Sequence, residues 1–187
     1  ADDRALLDAN RAKILVAANH LLALINDVLQ MSKLESGELT LTHEPLDLRT
    51  LAHDVITIME QRAANAGITL TVDAASESFA FPYVYGSPLH LRQLFLNIYS
   101  NCIKYNRRGG SVTTALRLCS AENNTVTYEW TIRDTGIGMS PEFLEHIFEP
   151  FAQEHIDARS VHQGSGLGMA IVKGLVDAMH GSIRISS

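Results

Sequence analysis

The sequence predicts an α+β fold in which one long helix precedes a unit of mixed strands and helices. Two patterns lead to this prediction. Apolar residues repeat every seven positions near the start of the chain, at Leu7, Ile14, Leu21 and Val28. Farther along, two segments alternate apolar and polar residues as half-buried strands do. Because 46% of the 187 residues are hydrophobic and 19% are charged, the chain can bury one sizeable core with a smaller appendage.

Helix signals occur at five places. The seven-residue repeat predicts a helix to about Lys33 that Gly37 closes, and Asp47 and Gly67 bracket a second helix. The remaining three helices are expected to start at Ser87-Pro88, Ser140-Pro141 and Gly168, the first of them running to Tyr105 and the last to Gly181. Strands are expected at 39–41, 68–72, 81–85, 112–118, 126–132 and 182–187.

Charge and cysteine content narrow the class of protein. The net charge of −6 provides no overall positive field, so we expect no nucleic acid partner. No signal peptide opens the chain, and the apolar run at 14–18 is too short for a membrane span. Cys102 and Cys119 lie in apolar patterns, so we expect reduced core thiols and a cytoplasmic location. A disulfide between them is the alternative. Both ends resemble interrupted elements, as in a fragment of a longer protein.

Glycine density marks a candidate ligand site. Five of the twelve glycines lie in two short clusters, 134–138 and 164–168. Glycine allows backbone to approach a ligand closely, and the second cluster opens a helix, where free N–H groups favour phosphate. Neither a GxxxxGK[ST] loop nor the GxGxxG spacing is present, so those two nucleotide folds are excluded. A tight connection without a ligand is the alternative interpretation.

Four polar or aromatic residues share one face of the helix after Ser87. Asn97, Asn101, Lys104 and Tyr105 stand at positions i, i+4, i+7 and i+8. Asparagine is a poor helix former, so two asparagines in mid-helix lower stability unless their side chains have binding partners. Their amide oxygens suit a Mg²⁺ ion that bridges phosphates, while Lys104 can meet a phosphate. Tyr105 can lie against a base.

Asp134 ends an alternating strand directly before the first glycine cluster. A carboxylate at this point can accept a hydrogen bond from the exocyclic amine of adenine, which guanine lacks at the equivalent place. The alternative role is to cap the turn through Gly136.

Four motifs in this order resemble those of sensor histidine kinases. Residues 97–105 look like the N box, 134–139 like the first glycine box, 148–151 like the F box and 164–169 like the second glycine box. Residues 22–37 are similar to the second helix of the family's dimerisation and histidine-phosphotransfer domain. The resemblance implies a Bergerat-type α/β sandwich, a mixed sheet covered by helices on one face, preceded by one long bundle helix. It divides the chain into 1–37 and a catalytic, ATP-binding domain at 38–187.

The resemblance also implies the site. Asp134 would bind adenine with Tyr105 packed against it, and Asn101 would hold Mg²⁺ with help from Asn97. Together with Lys104, these two asparagines form the implied catalytic set. Phe148 and Phe151 would anchor a lid at 153–163. The implied nucleotide-binding set is Asn97, Asn101, Lys104, Tyr105, Asp134, Gly136, Gly138, Met139, Phe151, Gly164, Ser165, Gly166, Leu167 and Gly168.

Two departures from the family pattern affect the function. The phosphoacceptor motif, a histidine before an acidic residue and ending in proline, is missing; the segment from His53 has Ile58 in place of proline, so no acceptor is expected in this chain. After Tyr105 the family usually has Thr-Pro-Glu-Gly, whereas this chain has Asn106-Arg107-Arg108-Gly109. The two arginines either attract phosphate or are only solvated.

The resemblance implies transfer of the γ-phosphoryl group of Mg-ATP to a histidine outside this chain, for relay to a response regulator. The implied cofactors are ATP and Mg²⁺, and the full-length protein is expected to be a homodimer. One alternative is a nucleotide-binding module without kinase activity. Another is an ATP-hydrolysing relative, but such relatives have a glutamate where this chain has Asn97, and an amide cannot act as a general base.

Overall fold

The computed structural model describes residues 2–73, 79–154 and 164–187. Within these ranges the chain forms five helices and five strands, which agrees with the α+β prediction. Their bounds are α1 (Asp2–Glu35), β1 (Glu44–Asp47), α2 (Leu48–Ala66), β2 (Thr69–Val72), β3 (Tyr83–Gly86), α3 (Pro88–Lys104), β4 (Ser111–Glu122), β5 (Thr125–Asp134), α4 (Pro141–His146) and α5 (Gly168–Ala178).

The described strands form two sheets. In the mixed sheet, β4 lies between β2, to which it is parallel, and β5, to which it is antiparallel. Strands β1 and β3 form a separate antiparallel pair. Since Val112 pairs with Asp134, the register places the end of β5 beside the start of β4. This pairing positions the first glycine cluster next to the end of α3.

Local capping rules account for most helix ends. The Asp47 carboxylate accepts the Arg49 N–H at 2.9 Å, and Gly67 ends α2 with φ of 72°. Ser140 caps α4 by accepting the Phe143 N–H at 3.2 Å. Ser87 occupies the N-cap of α3, but its hydroxyl is 2.7 Å from His90 Nδ1 and makes no cap hydrogen bond.

Three sequence expectations need correction. The strand expected at 39–41 does not form, because the N–H groups of Glu38 and Leu39 donate to the Lys33 carbonyl at the end of α1. Residues 182–187 form no strand, since no described segment pairs with them. Cys119 is exposed because it lies on the half of β4 that extends beyond the core, while Cys102 is half-buried. Both thiols are free, as expected.

The core lies between the helices and one face of the mixed sheet. Alternate residues of β5 are half-buried and exposed, so only one face of that strand is covered. Helix α3 packs against both α2 and α5 as well as against β5. The largest fully buried side chains are Tyr99, Met59, Leu167, Ile171, Leu175, Val55, Val112 and Val172. The Tyr99 hydroxyl pairs with Thr114 at 2.6 Å, which satisfies both polar groups inside the core.

Helix α1 leaves most of its apolar stripe uncovered. Ile14 is 68% exposed, and Leu21 and Val28 are more than half exposed. The C-terminal part of α1 contacts α3 and α5, where the Gln30 side chain bonds to Gln93 at 2.9 Å and Leu34 packs on Gly174. By length and hydropathy, Leu6–Glu35 is long and apolar enough to cross a membrane, so the expectation based on the short apolar run at 14–18 needs correction. Core helices of soluble proteins have the same length and hydropathy.

Replacement of Met59 by alanine tests the position of this core. Met59 is fully buried, so Met59→Ala is expected to lower the free energy of unfolding by about 2–5 kcal/mol through lost burial and a cavity. The neighbouring Ile58 is 39% exposed and provides the control, for which a change of about 0.5 kcal/mol or less is expected. Urea unfolding followed by circular dichroism measures both. Equal losses in the two variants would contradict the assignment of the buried face of α2.

Candidate functional site

Helix α3 forms one wall of the candidate site. Asn97, Asn101 and Lys104 lie half-buried on one face, and Tyr105 is the C-cap residue. The Asn97 amide donates to the Gly168 carbonyl at 3.5 Å, so this face of α3 looks toward the start of α5. The helix therefore brings the Asn97 amide next to the second glycine cluster, and Asn101 follows one turn later on the same face.

Lys104 lies against the second glycine cluster. Its ammonium donates to the Tyr105 hydroxyl at 2.9 Å and is 4.6 Å from the centroid of that ring. A Cβ atom built on Gly164 would be only 2.5 Å from Lys104 Nζ. Glycine at position 164 thus leaves space for a fixed positive charge beside the loop backbone.

Asp134 lies at the end of β5, close to α3. It is exposed, and its Oδ1 accepts the Gly136 N–H at 2.8 Å, so the turn-capping role foreseen as an alternative is present. Cys102 on α3 also interacts with this carboxylate. Burial, followed by the charge of Asp134 and a hydrogen bond to it, raises the pKa of the Cys102 thiol to about 12. The thiol therefore remains protonated at neutral pH and can donate to Asp134.

The first glycine cluster packs directly on the end of α3. The Ile137 N–H donates to the Tyr105 carbonyl at 3.0 Å, and a Cβ on Gly136 would lie 2.6 Å from that same oxygen. Gly136 is thus required for close approach, as its place in the motif suggested. The Met139 N–H donates to the Ser187 hydroxyl at 2.7 Å, which places the C-terminal residues beside this cluster.

The F-box segment meets the second glycine cluster through backbone atoms. The Phe151 N–H donates to the Gly166 carbonyl at 3.0 Å, and a Cβ on Gly166 would be 2.7 Å from the Phe151 carbonyl carbon. Phe148 is half-buried, whereas Phe151 is 67% exposed. Phe151 therefore holds this segment by its backbone and not by ring burial.

The start of α5 joins the loop to α1. The Ser165 hydroxyl accepts the Leu167 N–H at 3.2 Å and donates to Asp27 Oδ2 at 2.9 Å. Leu167 is buried at the N-cap and supplies no side-chain cap to the helix. The N-terminal N–H groups of α5 consequently form a suitable environment for an anion.

The remaining predicted residues fall in different places. The expected lid at 153–163 lies outside the described residues except for Gln153, whose amide donates to the Gly164 carbonyl at 2.7 Å, and Glu154, whose carboxylate accepts the Ser140 N–H at 2.7 Å. Arg107 and Arg108 are exposed, and the stem of Arg108 covers Gly67 at the end of α2. Arg108 therefore packs on the end of α2 and not on the glycine clusters.

Two contacts of the site were not foreseen. The sequence predicts a core position for Cys102 and gives Asp27 no role. The contact of Cys102 with Asp134 depends on tertiary structure, because no local pattern connects α3 to the end of β5. The contact of Asp27 with Ser165 joins residues 138 positions apart, and nothing in the spacing of α1 signals it.

The family model for histidine kinase-, DNA gyrase B- and HSP90-like ATPases matches residues 86–187, more than half of the chain. The chain belongs to this family. This match confirms the family resemblance that the four motifs indicated, and it confirms that the domain is of an ATP-binding type. The match begins just before α3 and includes both glycine clusters, so all the residues of the candidate site except Asp27 fall inside it.

Sensor histidine kinases are among the similar proteins. The chain is 36% identical over 171 residues to the signal transduction histidine-protein kinase BarA of Escherichia coli, and equally identical to the sensor histidine kinase GacS of Pseudomonas protegens. Both matches include 91% of this chain but only 18% of the relative, so the chain spans less than a fifth of the length of these relatives.

Solved structures show the same fold. The crystal structure of full-length ShkA in complex with AMPPNP superposes with a TM-score of 0.74 at 31% identity, covering 97% of this chain and 35% of ShkA. Acinetobacter baumannii histidine kinase AdeS matches with a TM-score of 0.66 at 22% identity, covering 89% of this chain and 72% of AdeS. These likenesses confirm the predicted α+β sandwich with one long preceding helix.

Proposed function

We propose that residues 38–187 are the catalytic domain of a sensor histidine kinase, which binds Mg-ATP between α3 and the two glycine clusters. The observation that supports this most directly is the placement of Asn97 and Lys104 against Gly168 and Gly164. An amide, a cation and a helix N-terminus then converge where a polyphosphate would lie. Relatives named as histidine kinases and a neighbour solved with AMPPNP support the same assignment.

In this proposal the adenine ring lies by Asp134. One carboxylate oxygen is held by the Gly136 N–H, which fixes the orientation of the group, and the other can accept from the exocyclic amine. Tyr105 is 40% exposed at the end of α3, so its ring has surface free to pack against the base. Gly138, Met139 and Leu167 complete the proposed wall around the nucleoside.

The donor set of α3 fits Mg²⁺ when the ion also binds phosphate. Asn101, with Asn97 one turn earlier, presents amide oxygens from a half-buried helix face. Among the described residues, no group of three or more carboxylate, histidine or cysteine side chains forms a site that would hold a metal ion unaided. Mg²⁺ often keeps several waters and uses one or two protein ligands plus substrate phosphates, and this arrangement matches the residues present.

The chemical step requires positioning and charge neutralisation more than covalent help from the protein. The bond from the γ-phosphorus to the bridging oxygen of ATP would break, and a bond to an imidazole nitrogen of the acceptor would form. Lys104 and the N–H groups at the start of α5 would stabilise negative charge on the phosphates, and bound Mg²⁺ would share that role. Asn97 cannot abstract a proton from water, which favours transfer to histidine over hydrolysis.

The N-terminal helix would take part in dimerisation and in phosphate transfer to the response regulator. Residues 1–37 are proposed as the second helix of the dimerisation and phosphotransfer domain, because the exposed apolar stripe of α1 requires partner helices. The full-length protein would then be a homodimer that passes phosphate to a response regulator on the cytoplasmic side.

The chain by itself is expected not to become phosphorylated, because no complete acceptor motif surrounds any of its eight histidines. Incubation with γ-labelled ATP and Mg²⁺, followed by gel analysis under alkaline conditions that preserve phosphohistidine, measures this. Addition of a separate domain that carries a phosphoacceptor helix with its histidine should lead to labelling of that domain. Stable, acid-labile phosphate on His53 would contradict the proposal, and His53→Gln provides the control.

A further inference from the structure

Asn106, the second residue after α3, connects three segments of the chain with one side chain. Its Nδ2 donates to the Ser111 carbonyl at 3.0 Å, where β4 begins. Its Oδ1 accepts the Arg107 N–H at 2.9 Å and the Thr135 hydroxyl at 3.3 Å. Thr135 is the residue that follows Asp134. A single half-buried amide therefore joins the end of α3 to the end of β5.

Thr135 completes the connection from the other side. Its hydroxyl accepts the Ser111 N–H at 2.8 Å, and its own N–H donates to the Ser111 carbonyl at 3.1 Å. These bonds continue the pairing of β4 and β5 one residue beyond Asp134. The turn is closely filled, because a Cβ on Gly110 would overlap Asn106 Oδ1 and lie 2.8 Å from the Thr135 hydroxyl oxygen.

We propose that Asn106 is a positioning residue that, through Thr135, sets the location of the Asp134 carboxylate relative to Asn101 and Lys104 on α3. This inference rests on the proposed function. Asp134 would recognise the base while α3 would hold the metal and phosphates, so one nucleotide must satisfy both walls together. The spacing of these walls decides whether the adenine amine reaches its acceptor, and displacements of about 1 Å have large effects on such sites.

The amide group suits this role because it donates and accepts in one plane. In Asn106 the donor faces Ser111 and the acceptor faces Thr135, so both ends are used. Replacement by alanine removes every one of these bonds, while the Ile137 bond to the Tyr105 carbonyl remains to hold the glycine cluster on α3. We therefore expect a folded protein in which Asp134 is less well placed.

The test compares two nucleotides that differ only in the group that Asp134 would read. ATP and purine riboside triphosphate, which lacks the 6-amino group, are titrated calorimetrically in the presence of Mg²⁺. The parent protein is expected to prefer ATP by about tenfold or more. In Asn106→Ala this ratio should fall at least fivefold, and Thr135→Val should reduce it in the same direction. Asn65→Ala, an exposed asparagine on α2, should keep the parent ratio.

A double-mutant cycle separates positioning from general destabilisation. If Asn106 acts through Asp134, then Asn106→Ala should change the ratio little in a protein that already carries Asp134→Asn. A folded Asn106→Ala protein with the parent ratio would overturn the inference, as would failure of both Asn106→Ala and Thr135→Val to fold, which would show a purely structural role. A parent protein that binds the two nucleotides equally would instead overturn the proposed role of Asp134, and this inference with it.

Discussion

Asp134→Ala is expected to weaken the binding of ATP more than tenfold. The carboxylate is the proposed acceptor for the adenine amine, and loss of a hydrogen bond to a charged group costs about 1.5–3 kcal/mol. Isothermal titration calorimetry with Mg-ATP measures the change. Glu122→Ala, which removes an exposed carboxylate at the far end of β4, should bind as the parent does. Parent-like affinity in Asp134→Ala would refute the adenine assignment.

Asp134 also caps the turn at Gly136 and accepts a hydrogen bond from Cys102, so alanine removes these two interactions together with the proposed adenine contact. Asp134→Asn distinguishes them, because the amide oxygen can still accept the Gly136 N–H while the amide nitrogen would face the adenine amine, donor against donor. The asparagine variant should therefore unfold at the same temperature as the parent and still lose ATP affinity. Equal affinity of Asp134→Asn and the parent would show that the carboxylate serves only the turn.

Local rules predicted the elements better than the connections between them. Asp47, Gly67 and Ser140 end or begin helices through contacts within four residues, and the sequence signals for all three are confirmed. The strand expected at residues 39–41 failed because the amides at 38–39 bond to the end of α1 instead. Alternation of apolar residues shows which face is buried, but strand formation also needs a pairing partner.

The same distinction between local patterns and tertiary contacts applies to the candidate site. Asn97, Asn101 and Lys104 could be placed on one face because the helical period alone relates them. The proximity of that face to Gly164 and Gly168 came from the motif resemblance, since about 60 residues separate the two segments. The contacts of Asn106 with Thr135 and of Asp27 with Ser165 had neither kind of signal, because they depend on the register of β4 with β5 and on the packing of α1.

Asn101→Ala is expected to lower phosphoryl transfer to a supplied acceptor domain at least a hundredfold. The substitution removes the main amide proposed for Mg²⁺, and a metal that neutralises developing phosphate charge supplies several kcal/mol of the transition-state stabilisation, of which about 2.7 kcal/mol corresponds to a hundredfold. Rapid mixing of labelled Mg-ATP, the chain and the acceptor domain measures the initial rate. Asn65→Ala on the exposed face of α2 is the matched control and should transfer at the parent rate.

The metal dependence of binding shows whether the loss arises at the ion. In the parent, ATP should bind more tightly with Mg²⁺ than with EDTA, whereas in Asn101→Ala the two affinities should converge on the value without metal. Lys104→Gln offers a contrast, because it removes a phosphate contact and should weaken binding under both conditions. Asn101→Ala could instead keep the parent's difference in ATP affinity between Mg²⁺ and EDTA. In that case the Asn101 amide would not be a ligand of the ion, and the slower transfer would have to come from misplacement of the nucleotide along α3.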